Sequence, residues 1–195
     1  MGFIRPTTNT TRTTDNFAAH KARGSGLPGL DYATPVGEPI MAMQSGVVTR
    51  AGSTPVANGK NVRIAHDDGT TSYYLHFSAL YVAVGQRVNQ GNVIGLSGNT
   101  GRTTGPHLHV SIADKNGVLI DPAGVIGATA RPVLSQRTVK LGSRGAEVKY
   151  LQSRLGLPAD GIFGPVTRRS VINFQRAKGL VADGIVGPKT WAAIN

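Results

Sequence analysis

The chain has 195 residues, 39% of them hydrophobic, with 26 glycines and 11 prolines, which suits one large domain or two small ones that are rich in turns. Its formal net charge of +11 favours polyanionic partners such as nucleic acid, an anionic membrane face or an anionic bacterial wall. The absence of cysteine excludes disulfides, thiolate zinc sites and cysteine nucleophiles, so any metal ion must be held by His, Asp, Glu or Asn.

Residues 1–16 are polar and rich in threonine, which predicts an extended N-terminal arm. They contain no apolar core of signal-peptide length, and no stretch of the chain approaches the length of a membrane span. We therefore expect synthesis in the cytoplasm without a signal peptide. Any site of action outside the membrane must then be reached by another route.

Residues 17–127 are predicted to form a β-rich domain. Short alternating or apolar runs lie between turn signals, which is typical of β-strands. Asp-Asp-Gly at 67–69 and Lys-Asn-Gly at 115–117 predict hairpin turns. Because no helical period is sustained, the pattern indicates a mostly antiparallel sheet.

Residues 128–137 predict a linker, after which the hydrophobic period becomes helical. Two near-copies, ADGIFGPVT at 159–167 and ADGIVGPKT at 182–190, recur with an offset of 23 residues. In each copy Asp-Gly favours a turn and Gly-Pro places proline at the first helical position. We predict a small all-α domain of three helices over 138–195.

Two of the five histidines, His107 and His109, are separated by one residue. On a strand their side chains lie on the same face, which is how a metal ion and a reacting water require imidazoles to be placed. Taken alone, the pair also fits two unrelated surface histidines. The only glutamates are Glu38 and Glu147, and neither belongs to an HExxH motif. In a zinc hydrolase, histidine would therefore supply the base as well as ligands.

A resemblance to the LytM/lysostaphin-like zinc metallopeptidases, family M23, covers residues 20–127. It is carried by three segments in the family's order: PGLDYATPVGEPIMAMQSGVV, RIAHDDGTTSYYLHFSAL and VAVGQRVNQGNVIGLSGNTGRTTGPHLHVSI. The resemblance implies that Asp31 and His109 bind one Zn²⁺ and that His76 and His107 flank the catalytic water. A further imidazole ligand would leave the fourth zinc position open for water.

The chain departs from the family pattern at the first metal ligand. The usual histidine, four residues before the aspartate, is replaced by Leu27, which cannot bind zinc. The nearest candidate is His20, eleven residues before Asp31, and the glycine-rich segment at 21–29 would let it fold back. We therefore expect His20 to be the third metal ligand. The alternative is a non-catalytic relative that binds the wall or activates an amidase, although such relatives tend to lose several site residues.

The segment 138–195 resembles the type 1 peptidoglycan-binding domain through LGSRGAEVKYLQ, DGIFGPVT, VINFQ and DGIVGPKTW. Together the two resemblances imply a monomeric zinc endopeptidase that cleaves stem or cross-bridge peptides of bacterial peptidoglycan. The combination is similar to a bacteriophage endolysin, an antimicrobial wall-degrading enzyme released through a holin. A basic nucleic-acid binder remains an alternative. No specific nucleic-acid partner is expected, because no Lys/Arg run is interleaved with exposed aromatic residues.

Overall fold

The computed structural model describes residues 2–7, 13–54, 57–129 and 138–194. The chain divides into two compact units, residues 1–133 and 134–195. Of the predicted linker, only residues 128 and 129 lie within the described residues, and they end a β-strand. No helix in the described part of the chain is long and apolar enough to cross a membrane.

The first unit is β-rich, as predicted. Its strands are β1 (Phe3–Arg5), β2 (Thr13–Asp15), β3 (Leu30–Ala33), β4 (Pro39–Met41), β5 (Gly46–Thr54), β6 (Gly59–His66), β7 (Thr71–Phe77), β8 (Ala79–Leu80), β9 (Arg87–Val88), β10 (Val93–Leu96), β11 (His107–Ala113), β12 (Leu119–Ile120) and β13 (Ile126–Thr129). A short helix, α1 (Phe17–Ala22), and a 3₁₀ turn (Pro122–Gly124) accompany them.

The main sheet has the strand order β2-β3-β11-β7-β6-β5-β9, with antiparallel neighbours, and β12 pairs with β11. A smaller antiparallel sheet has the order β4-β10-β8. Side chains alternate between the two faces of the main sheet. Leu108, Val110 and Ile112 of β11 therefore point into the hydrophobic core, where all three are fully buried. This alternation places His107 and His109 on the opposite face.

The described parts of the arm predicted for residues 1–16, which are residues 2–7 and 13–16, contain two short strands that pair within the first unit. Phe3 is buried in the core, and β1 pairs in parallel with β13. β2 pairs with β3, where Thr13 is the register partner of Tyr32. These contacts involve one aromatic side chain and backbone hydrogen bonds. The polar composition of the arm therefore gave no signal for them. Helix α1 was not predicted either, and the Asn16 side chain caps it by accepting from the Ala19 backbone N–H at 2.9 Å.

Over its described residues, 138–194, the second unit contains three helices, as predicted. They are α2 (Ala146–Arg154), α3 (Pro165–Ala177) and α4 (Pro188–Ile194). Pro165 and Pro188 stand at the first helical positions, where the missing N–H has no cost. Phe163 and Trp191 are fully buried, so they build the core of this unit.

The first copy of the sequence repeat is held together by a buried glutamine. The Gln152 side-chain amide donates to Asp160 Oδ1 at 2.7 Å, to the Ile162 carbonyl at 3.0 Å and to Thr167 Oγ1 at 3.1 Å. Its amide oxygen accepts from the Gly161 N–H at 2.9 Å. The glutamine thus joins α2 to the turn that follows and to the start of α3.

The second copy repeats this network. The Gln175 amide donates to Asp183 Oδ1 at 2.9 Å, to the Ile185 carbonyl at 2.9 Å and to Thr190 Oγ1 at 3.2 Å. The Gly184 N–H donates to its oxygen at 2.9 Å. The two copies are therefore one hydrogen-bonded unit used twice, and the polar atoms of each satisfy one another.

Candidate active site

The pairing of β3 with β11 brings the Asp31 carboxylate to His109. These two residues are register partners across the sheet, so their side chains lie side by side on the open face. His109 Nδ1 lies 2.7 Å from Asp31 Oδ1. Residues that are 78 positions apart in the sequence are therefore in direct contact.

Helix α1 brings His20 to the same point. His20 Nε2 lies 3.2 Å from Asp31 Oδ2, and the ring centroids of His20 and His109 are 4.9 Å apart. Potential ligand atoms of His20, Asp31 and His109 all lie within 4.8 Å of one another. Both imidazoles are buried and the carboxylate is half-buried. The fold-back expected for His20 is therefore the arrangement that the structure has.

Backbone and hydroxyl groups orient the two imidazoles. His20 Nδ1 lies 3.0 Å from the Gly29 carbonyl and 3.1 Å from the Gly29 backbone N–H, so these contacts fit either tautomer and hold the ring with Nε2 facing Asp31. His109 Nε2 lies 2.9 Å from Ser111 Oγ, which in turn donates to the Leu27 carbonyl at 3.4 Å. His109 Nδ1 donates to Asp31 Oδ1, and a cation bound at Nδ1 would take the place of that proton. Leu27 thus contributes its carbonyl, not its side chain, to the site.

The loop between His20 and Asp31 packs directly on β11. A Cβ atom at Gly29 would lie 2.0 Å from the Val110 carbonyl oxygen, so only glycine permits this approach. The close contact holds the Gly29 carbonyl where the His20 imidazole can reach it. Gly29 is therefore required by close packing on β11 and not only by the flexibility of the segment.

His76 and His107 form a second pair of imidazoles beside the first cluster. Their ring centroids are 4.6 Å apart. His76 Nδ1 lies 2.8 Å from the Thr100 carbonyl and His107 Nδ1 lies 2.8 Å from the Gly105 carbonyl. Each Nδ1 must therefore donate, which leaves a lone pair on each Nε2.

The backbone of His76 is in a rarely populated conformation. Its φ is 70°, in the left-handed region, and it is the one non-glycine residue with positive φ among the described residues. Such strain persists only where surrounding contacts enforce it, and it is concentrated at functional sites. Burial lowers the pKa of His76 to about 4, although the hydrogen bond to Thr100 opposes the shift. His76 is therefore neutral at pH 7.

The charge of Asp31 is stabilised by its neighbours. Burial alone would raise the pKa of its carboxyl group, but the hydrogen bond from His109 and the positive potential of the nearby histidines outweigh burial and lower it. Asp31 is therefore ionised at neutral pH. An ionised carboxylate between two imidazoles is a suitable donor set for a divalent cation.

Two residues near this cluster were missed by sequence reasoning. Asp15 is the register partner of Asp31 on β2, and its Oδ2 lies 3.6 Å from His20 Nε2. The Arg23 guanidinium forms an ion pair with Asp15 and lowers the pKa of its carboxyl group. Asp15 precedes α1 and Arg23 follows it, so the pair brackets the helix that carries His20. The sequence held a signal for this arrangement, namely an acidic and a basic residue on either side of the short segment 16–22.

All five predicted site residues line one cleft of about 1270 Å³. The volume exceeds that of typical sites for small molecules, which favours an extended ligand. Four arginines also line the cleft, against two carboxylates: Arg23, Arg50, Arg63 and Arg102 against Asp15 and Asp31.

Comparison with protein families assigns both units. The model of peptidase family M23 matches residues 25–122, half of the chain. The chain is a member of peptidase family M23. A peptidoglycan-binding domain model matches residues 144–194. His20 lies outside the part that the M23 model matches, which agrees with the departure from the usual first ligand.

Two similar proteins are named as endopeptidases, one of them as an endopeptidase of peptidoglycan. The peptidoglycan DD-endopeptidase ShyA of Vibrio cholerae is 46% identical over 84 residues, which are 43% of this chain and 19% of that protein. The glycyl-glycine endopeptidase ALE-1 of Staphylococcus capitis is 40% identical over 82 residues, 42% of this chain and 23% of that protein. The similarity therefore spans about a fifth of the length of these M23 relatives.

A solved structure of a peptidase resembles the fold. The crystal structure of a zinc-containing peptidase from Vibrio cholerae is 34% identical and matches with a TM-score of 0.54, covering 62% of this chain and 39% of that one. The share of this chain that it covers corresponds in extent to the β-rich unit and not to the whole molecule.

Proposed function

We propose that this M23 protein is a zinc-dependent endopeptidase that hydrolyses peptide bonds in bacterial peptidoglycan. The observation that carries the proposal is the convergence of two sets of side chains in one cleft. Donor atoms of His20, Asp31 and His109 face one another, and the imidazoles of His76 and His107 stand beside them with free Nε2 atoms. Membership of a peptidase family and the named activities of the relatives support it.

The three proposed ligands fit Zn²⁺. Two imidazole nitrogens and one carboxylate oxygen form a donor set typical of catalytic zinc sites, which keep one position open. The contacts with Gly29 and Ser111 hold the two rings so that His20 Nε2 and His109 Nδ1 face Asp31. When bound, Zn²⁺ supplies Lewis-acid chemistry by making a water molecule more acidic and by polarising the scissile carbonyl. The similar zinc-containing peptidase supports the choice of metal.

His107 and His76 are the proposed proton-handling residues. His107 Nε2 accepts the proton of the attacking water and later transfers it to the leaving amine. His76 is neutral at pH 7, since burial lowers its pKa to about 4, so its Nε2 also presents a lone pair. A protonated Nε2 on His76, as oxyanion stabilisation would require, is disfavoured in this environment. We therefore assign His76 to orienting the water and sharing its proton.

The second unit is proposed to hold the enzyme on its substrate. A peptidoglycan-binding module in the same chain raises the local concentration of cleavable peptide by tethering. The net charge of +11 adds attraction to anionic wall polymers. The relatives are named for different bonds, one as a DD-endopeptidase and one as a glycyl-glycine endopeptidase, so the bond is not assigned.

The narrower proposal is a phage endolysin that reaches the wall through a holin and acts as a monomer. The pairing of hydrolase and wall-binding modules and the basic charge support the lytic role. The proposed metal ligands all belong to one chain, so the site requires no residue from a second copy. Lysis of cells only when a holin is co-expressed, and a monomeric mass in light scattering, are the expected results.

The deciding experiment is digestion of purified peptidoglycan with counting of the released amino termini. We expect new amino termini with the wild-type chain, none after chelation, and recovery when Zn²⁺ is added back. A non-catalytic wall-binding protein would instead bind the same material, release nothing and show no dependence on zinc. A nucleic-acid binder would show salt-sensitive DNA binding that survives replacement of His107 and His109 by alanine.

A further inference from the structure

Two arginines stand directly opposite each other on the open face of the main sheet. Arg50 of β5 is the register partner of Arg63 of β6. Arg63 is in turn the partner of Tyr73 on β7, and Tyr73 is the partner of Ser111 on β11. One row across four strands therefore leads from the serine that holds His109 to the two guanidinium groups.

This row places the arginines at a peptide's distance from the proposed metal ligands. Neighbouring strands are about 4.8 Å apart, so the backbones of β6 and β5 lie about 10 and 14 Å from β11. An extended peptide advances about 3.3 Å per residue, so this distance corresponds to about three or four residues. Arg50, Arg63, Tyr73 and His109 all line the same cleft.

The arginine pair is unfavourable unless an anion is bound. Like charges directly opposite each other on a sheet repel. In the described part of the chain, neither Arg50 nor Arg63 has a carboxylate within 4.0 Å, and the arginine ion pairs there are those of Arg23 and Arg87. Exposed arginines on a strand are often only a solvated face. Here, however, two arginines lie in register beside a candidate active site and have no acidic partner among the residues that the structure describes. This placement suggests that they bind an anionic ligand.

Neutral partners hold both guanidinium groups in place. Arg50 Nε donates to Oδ1 of the buried Asn61 at 2.8 Å, and Arg63 Nε donates to Thr49 Oγ1 at 3.0 Å. The terminal NH₂ groups of Arg63 meet no acceptor among the described residues, so they are available to a ligand. One terminal NH₂ group of Arg50 donates to Thr54 Oγ1 at 3.4 Å, so Arg63 has the freer guanidinium. A guanidinium with free terminal groups can bind a carboxylate through two hydrogen bonds.

We propose that Arg50 and Arg63 form a subsite that binds a free carboxylate of the stem peptide, so that the enzyme prefers an acidic stem to its amidated form. The inference rests on the proposed function, since it names the substrate class of the same cleft. A carboxylate of the peptide is favoured over a phosphate of a wall polymer because the arginines belong to the cleft that contains the candidate site. The subsite selects the substrate and takes no part in the bond cleavage.

The test measures peptide binding by the full chain, with Zn²⁺ added and His107→Gln present so that the bound peptide is not hydrolysed. One synthetic stem peptide is used with a free carboxylate and with the corresponding carboxamide. Arg63→Gln and Arg50→Gln are compared with Lys115→Gln, which removes one charge from an exposed turn of the same unit. Arg63→Lys keeps the charge but loses the planar pair of donors.

We expect the parent to bind the carboxylate form about 10-fold more tightly than the carboxamide, as for a charged hydrogen bond. The ratio should fall towards 1 in Arg63→Gln, stay intermediate in Arg63→Lys and be unchanged in Lys115→Gln. Equal binding of the two forms by the parent, or a preference that survives Arg63→Gln, would overturn the subsite. So would binding of a glycerol-phosphate polymer that depends on Arg63 while both peptides bind equally.

Hydrolysis by the chain with native His107 separates the two proposals. If neither peptide is hydrolysed but the binding preference depends on Arg63, the endopeptidase proposal fails and the subsite stands. If both forms are hydrolysed and bound equally, the subsite fails and the endopeptidase proposal stands.

Discussion

The cleft of the first unit and the glutamine networks of the second unit use buried polar groups in opposite ways. In the second unit, the polar atoms of Gln152 are all engaged by Asp160, Thr167 and the backbone. In the cleft, the outer ring nitrogens of His76 and His107 are satisfied by carbonyl groups, while both Nε2 atoms have a lone pair to spare. Saturated polar groups stabilise a fold, whereas groups saturated on one side only are prepared for a ligand.

The same contrast separates a structural motif from a candidate functional motif. The two ADGI copies are conspicuous in the sequence, yet their aspartates cap turns and accept from glutamine. The HxH motif is short, yet it places two imidazoles in a cleft. The number of unsatisfied donor and acceptor positions therefore separates the two cases better than the length of a motif.

The largest expected effect is at the proton-handling pair. His107→Gln should lower kcat on a soluble stem peptide by about 10²–10⁴-fold, because it removes the proposed base. Zinc content should not change, since the three proposed ligands remain. Measurement of both quantities on the same preparation checks the assignment, and loss of zinc together with activity would instead place His107 among the ligands.

The second prediction concerns the glutamine network. Gln175→Ala should lower the free energy of unfolding of the second unit by about 2–3 kcal/mol, because it leaves buried partners such as the Gly184 N–H unsatisfied. The neighbouring Arg176→Ala, at an exposed position of the same helix, should change it by less than about 0.5 kcal/mol. Denaturant unfolding of the full chain, followed through Trp191, measures both. Peptide hydrolysis by the first unit should be unaffected by either change.

A third prediction concerns the residues that bracket α1. Asp15→Asn weakens the ion pair with Arg23 and should lower zinc affinity about 10-fold, as for other groups that orient ligands. Asp67→Asn breaks a comparable exposed pair with Arg87 at a position that does not line the cleft and serves as the matched control. Competition with a chromophoric chelator measures the affinity. Equal affinities of the two variants would remove Asp15 from the site.

The smallest expected effect is a difference in pH dependence between the units in metal-free protein. His76 has a pKa of about 4 when folded against 6.5 for the free side chain, so the unfolded chain binds a proton that the folded chain does not. The first unit should therefore lose stability as the pH falls from about 6.5 to 4, and less so in His76→Gln.

The second unit should respond only at lower pH. The backbone hydrogen bond from Ile185 and the bond from Gln175 lower the pKa of Asp183 below its ordinary 3.8. The stability that this carboxylate contributes is present above that value and is lost as the pH falls further. Unfolding curves between pH 7 and 3 compare the units. A second unit that loses stability already between pH 6.5 and 4 would contradict this comparison.

Much of the fold was predictable because local signals agreed with it. The alternating pattern gave the β-rich unit, and Gly-Pro after Asp-Gly marked the starts of α3 and α4. The pairing of β1 with β13 was not predictable, since a parallel contact between residues 3 and 126 leaves no local pattern. The glutamines were missed, although each stands eight residues before its aspartate in both copies.

The candidate site was predictable in type but not in detail. His76, His107, His109 and Asp31 followed from the family resemblance, and the structure places all four in one cleft. The positions of Asp15 and Arg23 depend on the pairing of β2 with β3, which brings two carboxylates into register. Two carboxylates directly opposite each other on a sheet repel, and the nearby guanidinium and imidazoles offset that repulsion.

The most direct test of the account is the zinc affinity of His20→Ala beside that of the wild-type chain. His20 is the one proposed ligand outside the region that the M23 family model matches, and its imidazole lies against Asp31. The account predicts that zinc affinity falls by more than about 100-fold, beyond the loss seen when only an orienting group is removed, and that wall hydrolysis falls with it. Full zinc content and full hydrolysis in His20→Ala would contradict it.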